Sequence, residues 1–120
     1  YMKVIDKELV KHEKKFKHKK EEHHGLLIYE IKSPYRIHSV LSTVLGLEYP
    51  SKTIVVINKT KPIISVSGRR GDGKKPVNSL LEKATQGFQK SNAGGHVTSA
   101  GAGFPRKYLN TFKKRIIAEY

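Results

Sequence analysis

A histidine preceded by two glycines, in the run Asn92-Ala93-Gly94-Gly95-His96-Val97-Thr98-Ser99-Ala100-Gly101-Ala102-Gly103, is the part of this sequence best suited to chemistry. Consecutive glycines let the main chain adopt left-handed or crowded conformations and let a ligand approach its N–H groups. A phosphate suits such a place. His96 could donate a hydrogen bond, carry positive charge near neutral pH or bind a metal, each with a different partner. A second group, Ser67-Gly68-Arg69-Arg70, ends an apolar run and leads into the basic, glycine-rich loop Gly71 to Lys75. Arg69 can make a planar, two-pronged contact to a phosphate while the Gly94 and Gly95 N–H groups and the His96 ring hold another face of it. Ser67, Arg69, Arg70, Gly94, Gly95 and His96 are therefore the candidate phosphate-binding residues. The plain alternative is that the arginines are solvated loop charges and the double glycine is a tight turn.

Other chemistry-bearing residues point nowhere so specific. His12, His18, Glu22, His23 and His24 could hold zinc or nickel, since His18 and Glu22 lie one helical turn apart, but a structural site needs a closed ligand set on a rigid frame. They read better as solvated helix surface, with His23-His24 at its frayed end. His38 also reads as surface. Tyr29, Tyr35 and Tyr49 are the available base-stacking tyrosines, and for these three the reading as packed residues is the stronger one. There is no cysteine, so no disulfide, thiolate nucleophile or cysteine-based zinc site exists. Only two aspartates are present, Asp6 and Asp72, too few for a pair of divalent ions held by converging carboxylates and histidines. No catalytic residue, metal site or cofactor is expected in this chain.

Charge and length bound the partners. Among 120 residues, 24 Lys and Arg oppose 10 Asp and Glu, a formal net charge of +14. An excess of this size points to a polyanion, with nucleic acid ahead of an anionic membrane surface. A hydrophobic share of 37% supplies one modest core. No apolar run reaches the roughly 18–20 residues needed to span a bilayer, and no secretory apolar segment opens the chain, so a cytoplasmic protein is expected.

The elements that must position these residues follow from periodicity. Ile5, Leu9, His12 and Phe16 form a narrow stripe on a helix over residues 2–22, which suits an exposed helix touching its domain along one edge. Residues 1–24 are thus read as an N-terminal linker helix and 25–120 as the binding domain. Leu26 to Ile31, Thr53 to Ile57 and Ile63 to Ser67 read as buried strands, the last two as a hairpin. Ser33-Pro34 predicts a cap and first turn for a helix whose apolar positions are Ile37, Val40, Leu41, Val44 and Leu45, with Gly46 as C-terminal cap. Another helix places Val77, Leu80, Leu81, Ala84 and Phe88 on one face. Ser99 to Phe104 is the fourth strand, and Pro105 opens a final helix burying Tyr108, Leu109, Phe112 and Ile116. The expected fold is α/β (α+β), a small mixed sheet of about four strands flanked by helices.

Ser67-x-Arg69, then a helix, then Gly94-Gly95-His96 with Ser99-Ala100-Gly101-Ala102 three residues on, resembles the DHH-associated domain. This is the C-terminal, substrate-binding domain of the RecJ and oligoribonuclease group of Asp-His-His (DHH) phosphoesterases. The resemblance covers roughly residues 26–117, and its most specific part is the Gly-Gly-His segment. It departs from the family's pattern at Val97, where proline is frequent, and at Ser99, where alanine is usual. In that family the two segments face the catalytic domain across a cleft and grip the phosphates of single-stranded DNA or short RNA. The resemblance assigns those roles to Arg69, Gly94, Gly95 and His96. It implies a partner of single-stranded nucleic acid or a short oligonucleotide, and a DHH catalytic domain in the same full-length chain. The divalent metal, manganese, would belong to that separate domain. The rival reading is a free-standing basic RNA-binding protein or a docking module for replication or repair proteins.

Overall fold

The computed structural model describes residues 2–120. The lysine-rich helix α1 (Met2–Lys19) is followed by strand β1 (Glu21–His23), strand β2 (Leu26–Ile31), helix α2 (His38–Glu48), strands β3 (Thr53–Asn58) and β4 (Ile63–Arg69), helix α3 (Val77–Ala84), strands β5 (Asn92–Gly95) and β6 (Ser99–Pro105), a 3-10 turn (Arg106–Tyr108) and helix α4 (Leu109–Glu119). The strands form one mixed sheet in the order β1-β2-β3-β4-β6-β5. β2 and β3 run parallel with α2 as their crossover, and the other neighbours are antiparallel.

Alternation along the strands divides the core in two. One face presents Ile28, Val55, Ile64, Val66, Ala102 and Phe104 to α3 and α4, where Leu81, Phe112 and Ile116 are buried. The other presents Leu27, Tyr29, Ile31, Ile54 and Val56 to Leu41 and Leu45 of α2 and Phe16 of α1. Helices therefore sandwich the sheet, as the periodicity predicts. On the second face β4 and β6 contribute Ser65, Ser67 and Arg69 opposite Gly103, Gly101 and Ser99. The one large apolar side chain of β4 there, Ile63, is half exposed at the strand's start and joins neither core.

The sheet has six strands rather than about four, and both additions are edges. The first helix ends at Lys19, not at residue 22, and Glu21–His23 returns along β2 through a two-residue turn with positive φ at His24 (51°) and Gly25 (95°). Charge decides this: Lys113 Nζ reaches Glu21 at 2.6 Å and also pairs with Glu30, which Lys59 meets at 3.1 Å. His23-His24 is thus a strand end and a turn, not a frayed helix. At the other edge the double glycine lies inside β5, paired Gly94↔Gly101 and Gly95↔Ala100.

The second helix also starts later than expected. The Ser33 hydroxyl donates to Glu8 Oε2 at 3.2 Å and accepts the Tyr35 N–H, and Asn58 holds the segment through Ser33 N–H and carbonyl contacts. Ser33-Pro34 therefore shapes a tethered loop, and α2 begins at His38 with no side-chain cap. Gly46 is not a terminator either, since it lies within α2.

Candidate functional site

Beyond β4 the second face of the sheet loses its helical cover. The edge of that cover is fixed by close contacts from α2. Ser42 Oγ and Ser67 Oγ are 2.8 Å apart, which leaves Ser67 6% exposed and locks the hydroxyl pair. One turn on, a Cβ at Gly46 would stand 2.9 Å from Arg69 Cδ, so the absent side chain is what lets the Arg69 stem lie against the helix.

From this edge a shallow depression of about 340 Å³ opens over β6 and β5, lined by His38, Ser39, Ser67, Gly94, Ser99 and Gly101 among others. A Cβ added at Gly94 would meet nothing within 4 Å, so main chain itself forms the open floor. Gly95 is different. Its φ is +140°, and a Cβ there would fall 2.7 Å from both Ala100 Cα and Ser99 O. The strand then turns, with His96 N–H donating to Ser99 O at 2.8 Å and Ser99 N–H returning to His96 O at 3.3 Å.

The predicted site residues do not all meet. Ser67, Gly94 and Gly95 share the depression. Arg69 lies on the same face one pleat further along β4, paired with Ser99 and half-buried. The His96 side chain is exposed at the hairpin turn and is not part of the depression's wall. Arg70 is engaged elsewhere: it is 8% exposed, its Nε and Nη2 donate to Asp72 at 2.7 and 3.3 Å, and its Nη1 donates to the Tyr120 hydroxyl at 3.0 Å. Those hydrogen bonds hold the Asp72 carboxyl below its ordinary range. Two adjacent arginines thus differ in kind, one tying loop to C-terminal helix and one facing the open surface without an acidic partner among the described residues.

Sequence reasoning missed His38. It reads there as surface, yet its Nδ1 is buried and has no hydrogen-bond partner among the described residues. Burial first, and Arg36 second, pushes its pKa below the ordinary 6.5, so the ring is neutral at pH 7 and its orphan nitrogen can donate or accept according to tautomer. It stands at the start of α2, whose uncapped N-terminus adds partial positive charge beside the same wall. No acid lines the depression. A bare floor, a positive helix end and a nearby arginine fit an anion with a flat or extended body.

Of the other sequence candidates, His18 and Glu22 are exposed, whereas His12 and Tyr29 pack. His12 is 5% exposed, not solvated, and its Nδ1 lies 2.8 Å from the Tyr29 hydroxyl. Tyr29 is buried under α1, with its ring edge-on to Phe16. Among the described residues no three His, Cys, Asp or Glu side chains converge as metal ligands, and no helix is long and apolar enough to cross a membrane.

The fold is shared with known structures. No family model matches the chain, and comparison with curated proteins finds no match. Among solved structures, the chain is similar to RecJ from Thermus thermophilus in complex with Mg2+ (TM-score 0.71, 13% identity, 98% of this chain and 17% of that one). It is also similar to the pGpG-specific phosphodiesterase PggH of Vibrio cholerae (TM-score 0.61, 15% identity, 93% of this chain and 40% of that one). The C-Ala domain of alanyl-tRNA synthetase from Aquifex aeolicus matches with TM-score 0.61 and 16% identity over 82% of this chain and 96% of that domain. The resemblance to DHH-associated domains read from the sequence holds at the level of the fold. The chain spans well under half of RecJ and of PggH, and nearly the whole of the C-Ala domain.

Proposed function

We propose that this chain is a phosphate-gripping, nucleic-acid-binding module that works with a DHH phosphoesterase domain and does not itself cleave. The observation carrying this reading is the bare half of the sheet, where Gly94 and Gly101 leave main chain exposed between Arg69 and His38. Similarity to RecJ and to a phosphodiesterase of a dinucleotide supports an oligonucleotide ligand. The net charge of +14 supports a polyanion. In this reading α1 is the linker from the catalytic domain, which would hold the divalent ions, and Arg69, Gly94, Gly95 and His96 meet the strand's phosphates. The exposed His96 ring would engage from the rim. Arg70 would steady the loop instead.

The test is binding of a 5′-phosphorylated single strand at one fixed salt concentration. Arg69→Lys should weaken binding although charge is kept, because an ammonium cannot reproduce the planar fork. His96→Ala should weaken it as well, while Lys19→Ala, on the exposed side of α1, should cost little. Equal losses in all three variants would sink the grip and leave the second reading, a general basic RNA binder. That alternative is favoured by the similarity of nearly the whole C-Ala domain, part of a tRNA synthetase, to this chain.

A further inference from the structure

His38 belongs to two depressions at once. The second, about 240 Å³, lies at the other side of the α2 N-terminus, with Arg36, Lys61, Thr60 and Ser65 in its wall. Ser65 and Ser67 alternate onto the same sheet face, two residues apart on β4, or about 7 Å. The two hollows therefore meet at His38, one beside Ser65 and the other beside Ser67.

The wall of the second hollow is built to stay in place. Asn58 uses its amide oxygen for the N–H groups of Ser33 and Thr60 and the Thr60 hydroxyl, and its amide nitrogen donates to the Ser33 and Tyr35 carbonyls. The loop bearing Lys61 is pinned from beneath by Arg106, whose N–H donates to Pro62 O and whose Nη2 donates to the Lys59 and Lys61 carbonyls. Fixed main chain presents two exposed cations, and neither Arg36 nor Lys61 has an acidic partner among the described residues. Elsewhere cations with structural work meet an acid, as Arg70, Lys113 and Lys59 do, or backbone carbonyls, as Arg106 and Arg115 do. The side chains of Arg36 and Lys61 make neither contact among the described residues. No acid lines this hollow.

We infer that the hollow between Arg36, Lys61 and Ser65 is a second anion subsite, which takes the phosphate of a neighbouring nucleotide once the first lies over Gly94 and Gly101. This rests on the oligonucleotide reading above and sharpens it: the ligand is a strand of at least two nucleotides running along β4, and His38 sits between its phosphates. A single nucleotide occupies only the glycine-floored end.

The experiment is a length series of 5′-phosphorylated oligothymidylates, from one to six nucleotides, titrated against the whole chain at fixed salt. In the native chain affinity rises by about tenfold between one and three nucleotides. The double variant Arg36→Ala/Lys61→Ala keeps its affinity for the mononucleotide and loses most of that rise. Lys15→Ala/Lys19→Ala, equal in charge removed and exposed on α1, keeps the rise. A full rise in Arg36→Ala/Lys61→Ala overturns the subsite, as does equal loss for one nucleotide and six. Failure of the underlying reading looks different: Arg69→Lys then leaves mononucleotide affinity unchanged. Thermal melting of each variant confirms folding.

Discussion

One sheet face has two halves with opposite fates. Over β2 and β3 it carries Leu27, Tyr29, Ile31, Ile54 and Val56, and two helices cover it completely. Beyond β4 it carries Ser99, Gly101, Gly103 and Gly94, with Ser67 and Arg69 at the edge of α2 and Ile63 half exposed at the start of β4, and the groove lies open. Backbone pairing is continuous across both, so hydrogen bonding does not distinguish them. Side-chain size does. Where residues can fill space a helix docks; where they cannot, main chain is left for a ligand to read.

Breaking the covered half should have the largest effect. Phe16 is fully buried between α1, Tyr29 and Tyr49, so Phe16→Ala is expected to cost about 3–5 kcal/mol in denaturant unfolding. Binding per folded molecule should be unchanged. In the open half the two glycines separate stability from binding. Gly95→Ala combines a disallowed φ with overlap on Ala100, and is expected to lose about 2–4 kcal/mol. Gly94→Ala meets no neighbour, so it should melt within a degree or two of the native chain yet bind a phosphorylated oligonucleotide about tenfold more weakly. If Gly94→Ala binds normally, the floor is not a contact surface.

The smallest expected effect is on pH dependence. Burial lowers the His12 pKa from 6.5, against the opposing pull of Glu8, and burial lowers that of His38 too. A histidine whose folded pKa is depressed binds fewer protons folded than unfolded. Its stabilisation is therefore full above 6.5 and is lost as pH falls through the lowered value. Unfolding free energy should decline on acidification from just below 6.5, before the carboxylates respond. His12→Gln should flatten part of that slope, and an unchanged slope would show that α1 docks indifferently to its charge.

Legibility in the sequence follows the same division. Unbroken apolar runs made β2, β3 and β4 readable, and helical stripes placed α2, α3 and α4 to within a turn. The two edges were not readable. Glu21-Glu22-His23 has no strand-like composition and continues the helix's charge pattern, and Asn92-Ala93-Gly94-Gly95 holds its register only because β6 is beside it. Ser33-Pro34 is a fair helix-start signal outcompeted by Glu8 and Asn58, which are distant in sequence. The glycines, Ser67 and Arg69 were visible as chemistry. His38 was not, because its burial depends on what stands across the groove, and Arg70 looked equivalent to Arg69 until Asp72 and Tyr120 were seen to hold it.

The β4–β6 pairing also bears on how the molecule is assembled. β2, α2, β3 and β4 follow one another along the chain, whereas Arg69 meets Ser99 only after α3 and β5 have intervened. Closing that connection costs chain entropy as β2–β3 closure does, but the serines and glycines it brings together on the open face bury little apolar surface in return, so the open half is expected to form after the covered half and to be the first to come apart. The nucleotide seated on Ser67, Gly101 and Gly94 touches β4, β6 and β5 together and so spans the seam that closes last. Its binding should slow the opening of these strands, read as amide-exchange protection in β5 and β6, more than it slows opening of the hydrophobic half.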